Sequence, residues 1–284
     1  MRRHLLGIAV LAGIAAALGG TVLTCSRKPI SVAARDARNA EPASAKQAHS
    51  AGMTLEMRGD RYAQIREWDS AFACYRQSLA WAEKSDLADR RYATLKYIAI
   101  TYDDRAHDER RTKEQALADL DSAATLYTQL LEMVRALDNH EEEALLLYNV
   151  GCFYDQSRLD PARAETMYSQ SIALSEQIGQ KTVWGLATYN RAFVRADQLR
   201  LEDARRDFAA VMELGHGRPA KPGSNVAWAG HYVEALDTLI NLRNKMPARE
   251  WKRILEEHRA EFRDVAREVN RLGVAEPHGF GVGK

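Results

Sequence analysis

The sequence predicts an all-α fold of stacked helix pairs, on three observations. A small residue is followed about twelve positions later by Ala–x3–aromatic–x2–small. The phrase occurs at Gly59 with Ala71–Tyr75–Ser78, at Gly151 with Ala164–Tyr168–Ser171, and at Ala192 with Ala204–Phe208–Val211. Self-similarity on this scale marks repeated supersecondary units that bury their apolar faces only by stacking. Ala, Leu, Arg, Glu and Gln dominate the chain, as good helix formers do, while alternating β-branched segments are scarce. Comparable tyrosines at Tyr62, Tyr102 and Tyr154, with Arg195 in the fourth place, step by roughly 40, 52 and 41 residues. The middle copy of the phrase runs one residue late, a shift assigned to Pro161.

The chain opens with Met1-Arg2-Arg3-His4 and an uncharged run from Leu5 to Cys25. A helix of that length spans about 30 Å, the thickness of a bilayer core. Residues 1–25 therefore read as a signal or anchor segment, in one of three forms. It is an uncleaved anchor, a signal cleaved after Ala17-Leu18-Gly19, or a lipoprotein signal. For the last, Val22-Leu23-Thr24-Cys25 resembles a bacterial lipobox with Cys25 as the lipidated residue, although Thr24 departs from the small residue that motif prefers. Arg2 and Arg3 on one flank face Arg27, Lys28, Arg35 and Arg38 on the other, so basic residues do not set the orientation. A short basic start before an apolar run is the usual export pattern. It places the soluble domain outside the cytoplasm, held at a bacterial inner membrane or by lipid.

Residues 26–52, rich in Ala, Ser, Arg and Lys, read as a disordered tether. The repeat region follows at 53–214. Its second unit is the loosest. Leu95, Ile98, Ala99 and Tyr102 make a first helix, and Asp103 to Arg111 form a charged insertion. Thr112-Lys113-Glu114-Gln115 is a capping box opening a long helix to about Leu137. Either Ala123–Tyr127–Leu130 or Ala116–Leu120–Ala123 is its matching triplet.

Residues 215–224, from Gly215 through Pro222-Gly223-Ser224, are a turn-rich linker. Residues 225–272 form a terminal helix pair. Its last helix carries Trp251, Leu255, His258, Phe262, Val265, Val269 and Leu272 on a narrow seam. That seam reads as a cap on the array. Self-association as a coiled coil is disfavoured, because three heptads are marginal for it. Residues 273–284 read as a disordered tail.

The phrase and the Tyr-Asn-x-small steps at Tyr148-Asn149-Val150-Gly151 and Tyr189-Asn190-Arg191-Ala192 resemble the tetratricopeptide repeat (TPR) family, in a longer-repeat variety. The resemblance covers about 53–214. It implies a right-handed solenoid of antiparallel helix pairs with a C-terminal capping helix, whose first helices line a peptide-binding groove. Carried over, the lining is Lys96, Tyr97 and Ile100 in the second unit. The third supplies Tyr148, Asn149, Cys152 and Asp155, and the fourth Tyr189, Asn190, Phe193 and Asp197. In peptide-binding members an Asn in this place holds the ligand backbone, as Asn149 and Asn190 would. The alternative is that these side chains join successive helices and touch no ligand.

Lys+Arg 40 against Asp+Glu 39 leaves no basic stripe for nucleic acid. Three cysteines make no disulfide framework. No phosphate loop or His-Glu-x-x-His occurs, and His140-Glu141-Glu142-Glu143 reads as the acidic first turn of a helix. No cofactor, metal or small-molecule substrate is expected. With Asp103, Asp104, Asp155 and Asp197 near the groove, a free carboxyl terminus is disfavoured as ligand. The expected function is a non-catalytic scaffold that binds an internal or basic-leaning peptide or protein segment. The alternative is a structural subunit that contacts a larger assembly through its convex face or final helix.

Overall fold

A computed structural model describes residues 44–214 and 224–253, so the segment 1–25 with Cys25, most of the linker, and the seam from Leu255 to Leu272 lie outside the described residues. Within them the chain is all-helical with no strand, and neighbouring helices pack in adjacent pairs. The helices are α1 (Ala45–Gln64), α2 (Trp68–Lys84), α3 (Ala88–Ala106), α4 (Lys113–Ala136) and α5 (His140–Cys152). They continue with a π-helical turn (Phe153–Ser157), α6 (Pro161–Gln177), α7 (Lys181–Asp197), α8 (Leu201–Glu213) and α9 (Asn225–Lys245). Residues 248–253 are helical again. The chain divides into two compact units at Glu143/Ala144.

Local chemistry explains the helix ends. Ser44 accepts the Gln47 N–H and starts α1, so residues 45–52, expected as tether, are the first two turns of a helix. Thr112 and Gln115 form the expected reciprocal capping box. Asn139 accepts from the Glu142 N–H, and Glu141, Glu142 and Glu143 fill the acidic first turn of α5. The expected charged insertion is shorter than Asp103–Arg111, because α3 runs on to Ala106.

Among the described residues, six helix–helix turns pass through a left-handed residue: Arg66, Asp86, Asp138, Leu159, Gly179 and Leu199. Only one of these is glycine and two are aspartates, which tolerate this backbone, so the sequence carries no turn signal at Arg66, Leu159 and Leu199. A Cβ at Gly179 would meet no atom within 4 Å, so its replacement is opposed by backbone conformation alone. Gly179→Ala should cost about 1 kcal/mol. Leu159→Gly, at a 58 % exposed position, should gain about 0.5 kcal/mol. Urea midpoints moving in opposite directions would bear this out, and shifts of the same sign would refute it.

In the first unit, Ala71, Tyr75 and Ser78 are fully buried on α2, and Ala123, Tyr127 and Leu130 are buried on α4. The second is the matching triplet of the two considered, since Ala116 is only partly buried. Phe72 and Tyr102 lie 4.6 Å apart with Arg105 over both rings. Asp108 accepts the Trp68 indole N–H at 2.6 Å and a forked pair from Arg110. The Arg110 side chain and N–H, then Trp68, hold the Asp108 carboxyl well below the usual carboxylate range. This contribution to stability is present above ordinary carboxylate pKa values and is lost as pH falls through the lowered one. Glu56 is buried beneath Thr94, Ser78 and Arg90, which donate to it at 2.6, 3.3 and 2.7 Å.

In the second unit, Ala164, Tyr168 and Ser171 are fully buried on α6, as are Ala204, Phe208 and Val211 on α8. Tyr189, Phe193, Phe208 and Tyr232 form an aromatic cluster with centroids 4.8–6.2 Å apart, and Trp251 packs against it. Asp207 is buried and receives two parallel bonds from Arg191 at 2.9 Å and a third from Arg195. Arg195 and Arg200 converge on Glu165.

Candidate functional site: an acidic cluster at a π-helical turn

The late copy of the repeated phrase is where the site is built. In five of the left-handed turns the next N–H reaches the carbonyl five residues back: Glu67 to Tyr62, Leu87 to Ala82, Asn139 to Val134, Gln180 to Ser175 and Arg200 to Arg195. In the sixth, Asp160 reaches six residues back to Tyr154. The surplus residue is housed in the π-helical turn, where Arg158 N–H bonds to the Phe153 carbonyl at 3.1 Å. It is not at Pro161, which starts α6 behind an Asp160 cap. Single π turns recur at functional positions, because one inserted residue rotates the side chains that follow it.

The residue in the middle of that turn is Asp155. The Tyr168 hydroxyl, on a fully buried side chain of α6, donates to its carboxylate. The Asn190 amide of α7 reaches the Tyr168 oxygen and the Cys152 sulfur, each at 3.5 Å, the long end of hydrogen-bond range. Cys152 is also in hydrogen-bonding contact with that hydroxyl. Asp197, the exposed last residue of α7, acts on Asp155 as a like charge. Burial first, and then Asp197, push the Asp155 carboxyl up to about 7 against the lowering effect of Tyr168. Burial pushes the Tyr168 phenol well up.

The residues expected to line a groove separate into three environments. Asp155, Asn190 and Tyr148 come together around Tyr168, whose ring lies 6.1 Å from that of Tyr148, and Asp197 acts on Asp155 from the end of α7. Tyr189 and Phe193 belong to the aromatic cluster, and burial there pushes the Tyr189 phenol well up. Lys96 and Tyr97 are in the first unit. Lys96 is paired with Glu142 at 2.7 Å, beside a Tyr92–Glu142 bond, and Tyr97 stacks on Tyr75.

Burial corrects part of the expected lining. Tyr148, Tyr189 and Asn190 are 4 %, 0 % and 2 % exposed, so they are interior side chains and not a surface lining. The Asn190 amide faces Tyr168 and Cys152. Asn149, Asp155 and Phe193 are partly exposed and Asp197 is exposed. Tyr168 and the π turn were not singled out as site features. The signal was present, as a step of thirteen residues from Gly151 to Ala164 where the other copies step by twelve.

Cys74 and Cys152 are buried, neither in a disulfide, and burial raises the Cys74 thiol. Among the described residues no three His, Cys, Asp or Glu side chains are placed to hold a metal ion. No described helix is long and apolar enough to cross a membrane. Compared with known proteins, the chain matches no protein-family model and no curated protein.

Proposed function

We propose that the chain is a non-catalytic protein-binding scaffold, a TPR-like solenoid of long helix pairs that engages a basic-leaning extended segment. The observation that carries this is the charge at the ends of α5 and α7. Asp155 and Asp197 lie within electrostatic reach of each other there. The arginines of α7 are engaged elsewhere, Arg191 with Asp207 and Arg195 with Glu165 and Asp207. This acidic end is what would draw a lysine or arginine of the bound segment. Partly exposed Asn149 adds a side chain with both donor and acceptor.

The test is binding of Lys- and Arg-containing peptides from an unbiased library to the intact chain and to Asp197→Lys, at low and physiological salt. Charge reversal should weaken binding by about tenfold or more, and salt should weaken the wild type in the same direction. Equal binding by both proteins would remove the acidic end from the account. The proposed site of action is a bacterial envelope, and fatty-acid probe labelling of Cys25, lost in Cys25→Ser, would establish the lipid-held form.

A second reading, a structural subunit of a larger assembly, has one observation of its own. A shallow recess of about 600 Å³ on α6 is lined by Ala162, Glu165, Thr166, Ser169, Gln170 and Ala173, and by Gln198 beyond α7. Binding that survives Asp197→Lys but is lost in Ser169→Arg would favour it.

A further inference from the structure

We propose that the charged segment between α3 and α4, residues 107–112, is a clasp: it ties the α1–α2 joint to α4, and that joint opens only together with the segment. This goes beyond the binding role and does not depend on it.

Sequence and backbone both set the segment apart. The longest of the tyrosine steps, from Tyr102 to Tyr154, contains it. Residues 107–112 hold none of the left-handed residues that close the other six helix–helix turns among the described residues. Its side chains reach out of their own turn instead. Asp108 accepts the Trp68 indole N–H, 40 positions back, at 2.6 Å. Arg110 donates to the Arg66 carbonyl, 44 positions back, at 3.0 Å. Arg66 is the left-handed residue of the α1–α2 joint, and Trp68 is the first residue of α2. Glu67 between them makes no side-chain capping bond, so α2 starts without a cap of its own. The segment grips the joint on both sides of that bare start.

The arm itself is stiff. Arg110 donates through its backbone N–H and Nε to Asp108 Oδ1, each at 3.0 Å, and through Nη2 to Oδ2 at 2.6 Å. The Asp108 N–H bonds to the Arg105 carbonyl, and the Arg111 N–H to the Asp108 carbonyl. The foot stands on α4, where buried Asp119 takes two bonds from Arg105 and a contact from Arg111 at 3.0 Å. The Arg105 guanidinium also lies 4.7 Å from the centre of the Phe72 ring of α2. All of these residues belong to the first unit.

Exposure shows how the grip works. The Asp108 side chain is 1 % exposed, whereas Arg110 is 62 % exposed. A carboxylate this dry depends on every donor it has, and its donors come from both the joint and the segment. Loss of either donor therefore loosens the other side as well.

Native-state amide exchange of the full chain, normalised to intrinsic rates, tests this at three amides. The Glu67 N–H, bonded to Tyr62, reports the α1–α2 joint, and the Arg111 N–H reports the segment. The Arg200 N–H, bonded to Arg195 in the matching α7–α8 joint, is the control. Trp68→Phe keeps a ring and removes the indole donor. Protection at Glu67 and Arg111 should fall together by about tenfold, with Arg200 unchanged within about twofold. Arg110→Ala, at a mostly exposed position, should lower the same two amides from the other side, and it keeps the test available if Trp68→Phe does not fold. Loosening confined to the neighbourhood of each substitution overturns the proposal: Glu67 alone in Trp68→Phe, or Arg111 alone in Arg110→Ala. An equal fall at Arg200, or no fall at all, overturns it too.

Discussion

Replacing Gly151 by valine should lower the stability of the second unit by about 3 kcal/mol or more, and by alanine by about 2 kcal/mol. A Cβ at this position would sit 2.5 Å from two carbons of the Tyr168 ring. The ring cannot step aside, because Tyr168 is fully buried and its hydroxyl is held by Asn190 and Cys152. The gain of about 1 kcal/mol that alanine brings to a helix interior offsets only part of the clash. Gly59 stands in the same relation to Tyr75, also with contacts from 2.5 Å. Gly230 is the control, since its Cβ would meet only Met212 at ordinary van der Waals distance. Gly230→Ala should be neutral or stabilising. In a Tyr168→Leu background the cost of Gly151→Ala should shrink by at least about 1 kcal/mol. Urea midpoints followed by circular dichroism measure all three, and a full cost persisting in that background would put the strain elsewhere.

Asp207→Ala should cost about 3 kcal/mol, because it leaves partly buried Arg191 without a carboxylate and Arg195 with Glu165 alone. Arg191 and Arg195 have side chains 16 % and 15 % exposed, and Asp207 supplies three of their hydrogen bonds. The partly exposed neighbour Asp203, paired with Arg200 and Arg206, should cost no more than about 1 kcal/mol when truncated. Asp207→Leu combined with Arg191→Met should recover part of the loss, since fewer charges are then left stranded. The same urea series decides it. Asp203→Ala matching Asp207→Ala would mean that burial contributes nothing to the pair.

Much of the fold was legible because burial leaves a periodic mark. Ala71, Tyr75 and Ser78 recur in kind as Ala164, Tyr168 and Ser171, since each triplet fills the same tight contact between helices. The capping box at Thr112 was legible for a similar reason, as the chemistry of a helix start needs particular side chains. Three of the left-handed turns were not, because Arg66, Leu159 and Leu199 bear no mark of the backbone they adopt. The site was half legible. Asp155 and Asp197 are acids of the expected lining, but whether an amide such as Asn190 faces a ligand or a neighbouring hydroxyl depends on atoms supplied by another helix. The extra residue was countable, and Pro161 drew the count to the wrong place. A proline at the first position of a helix is an ordinary start, whereas a π turn needs no special residue.

The left-handed turns fall at 66 and 86, and again at 138, 159, 179 and 199. Each is closed by backbone groups that every residue but proline carries. The joints are thus specified by chain length between them and hardly at all by which residues occupy them. A substitution at such a joint shifts stability by about 1 kcal/mol or less, whereas a single insertion must be housed somewhere, as it is in Phe153–Ser157. For a protein built this way, descent is kept in the arithmetic of its segments more than in its letters. A relative would be recognised by counting residues between turns before comparing any of them.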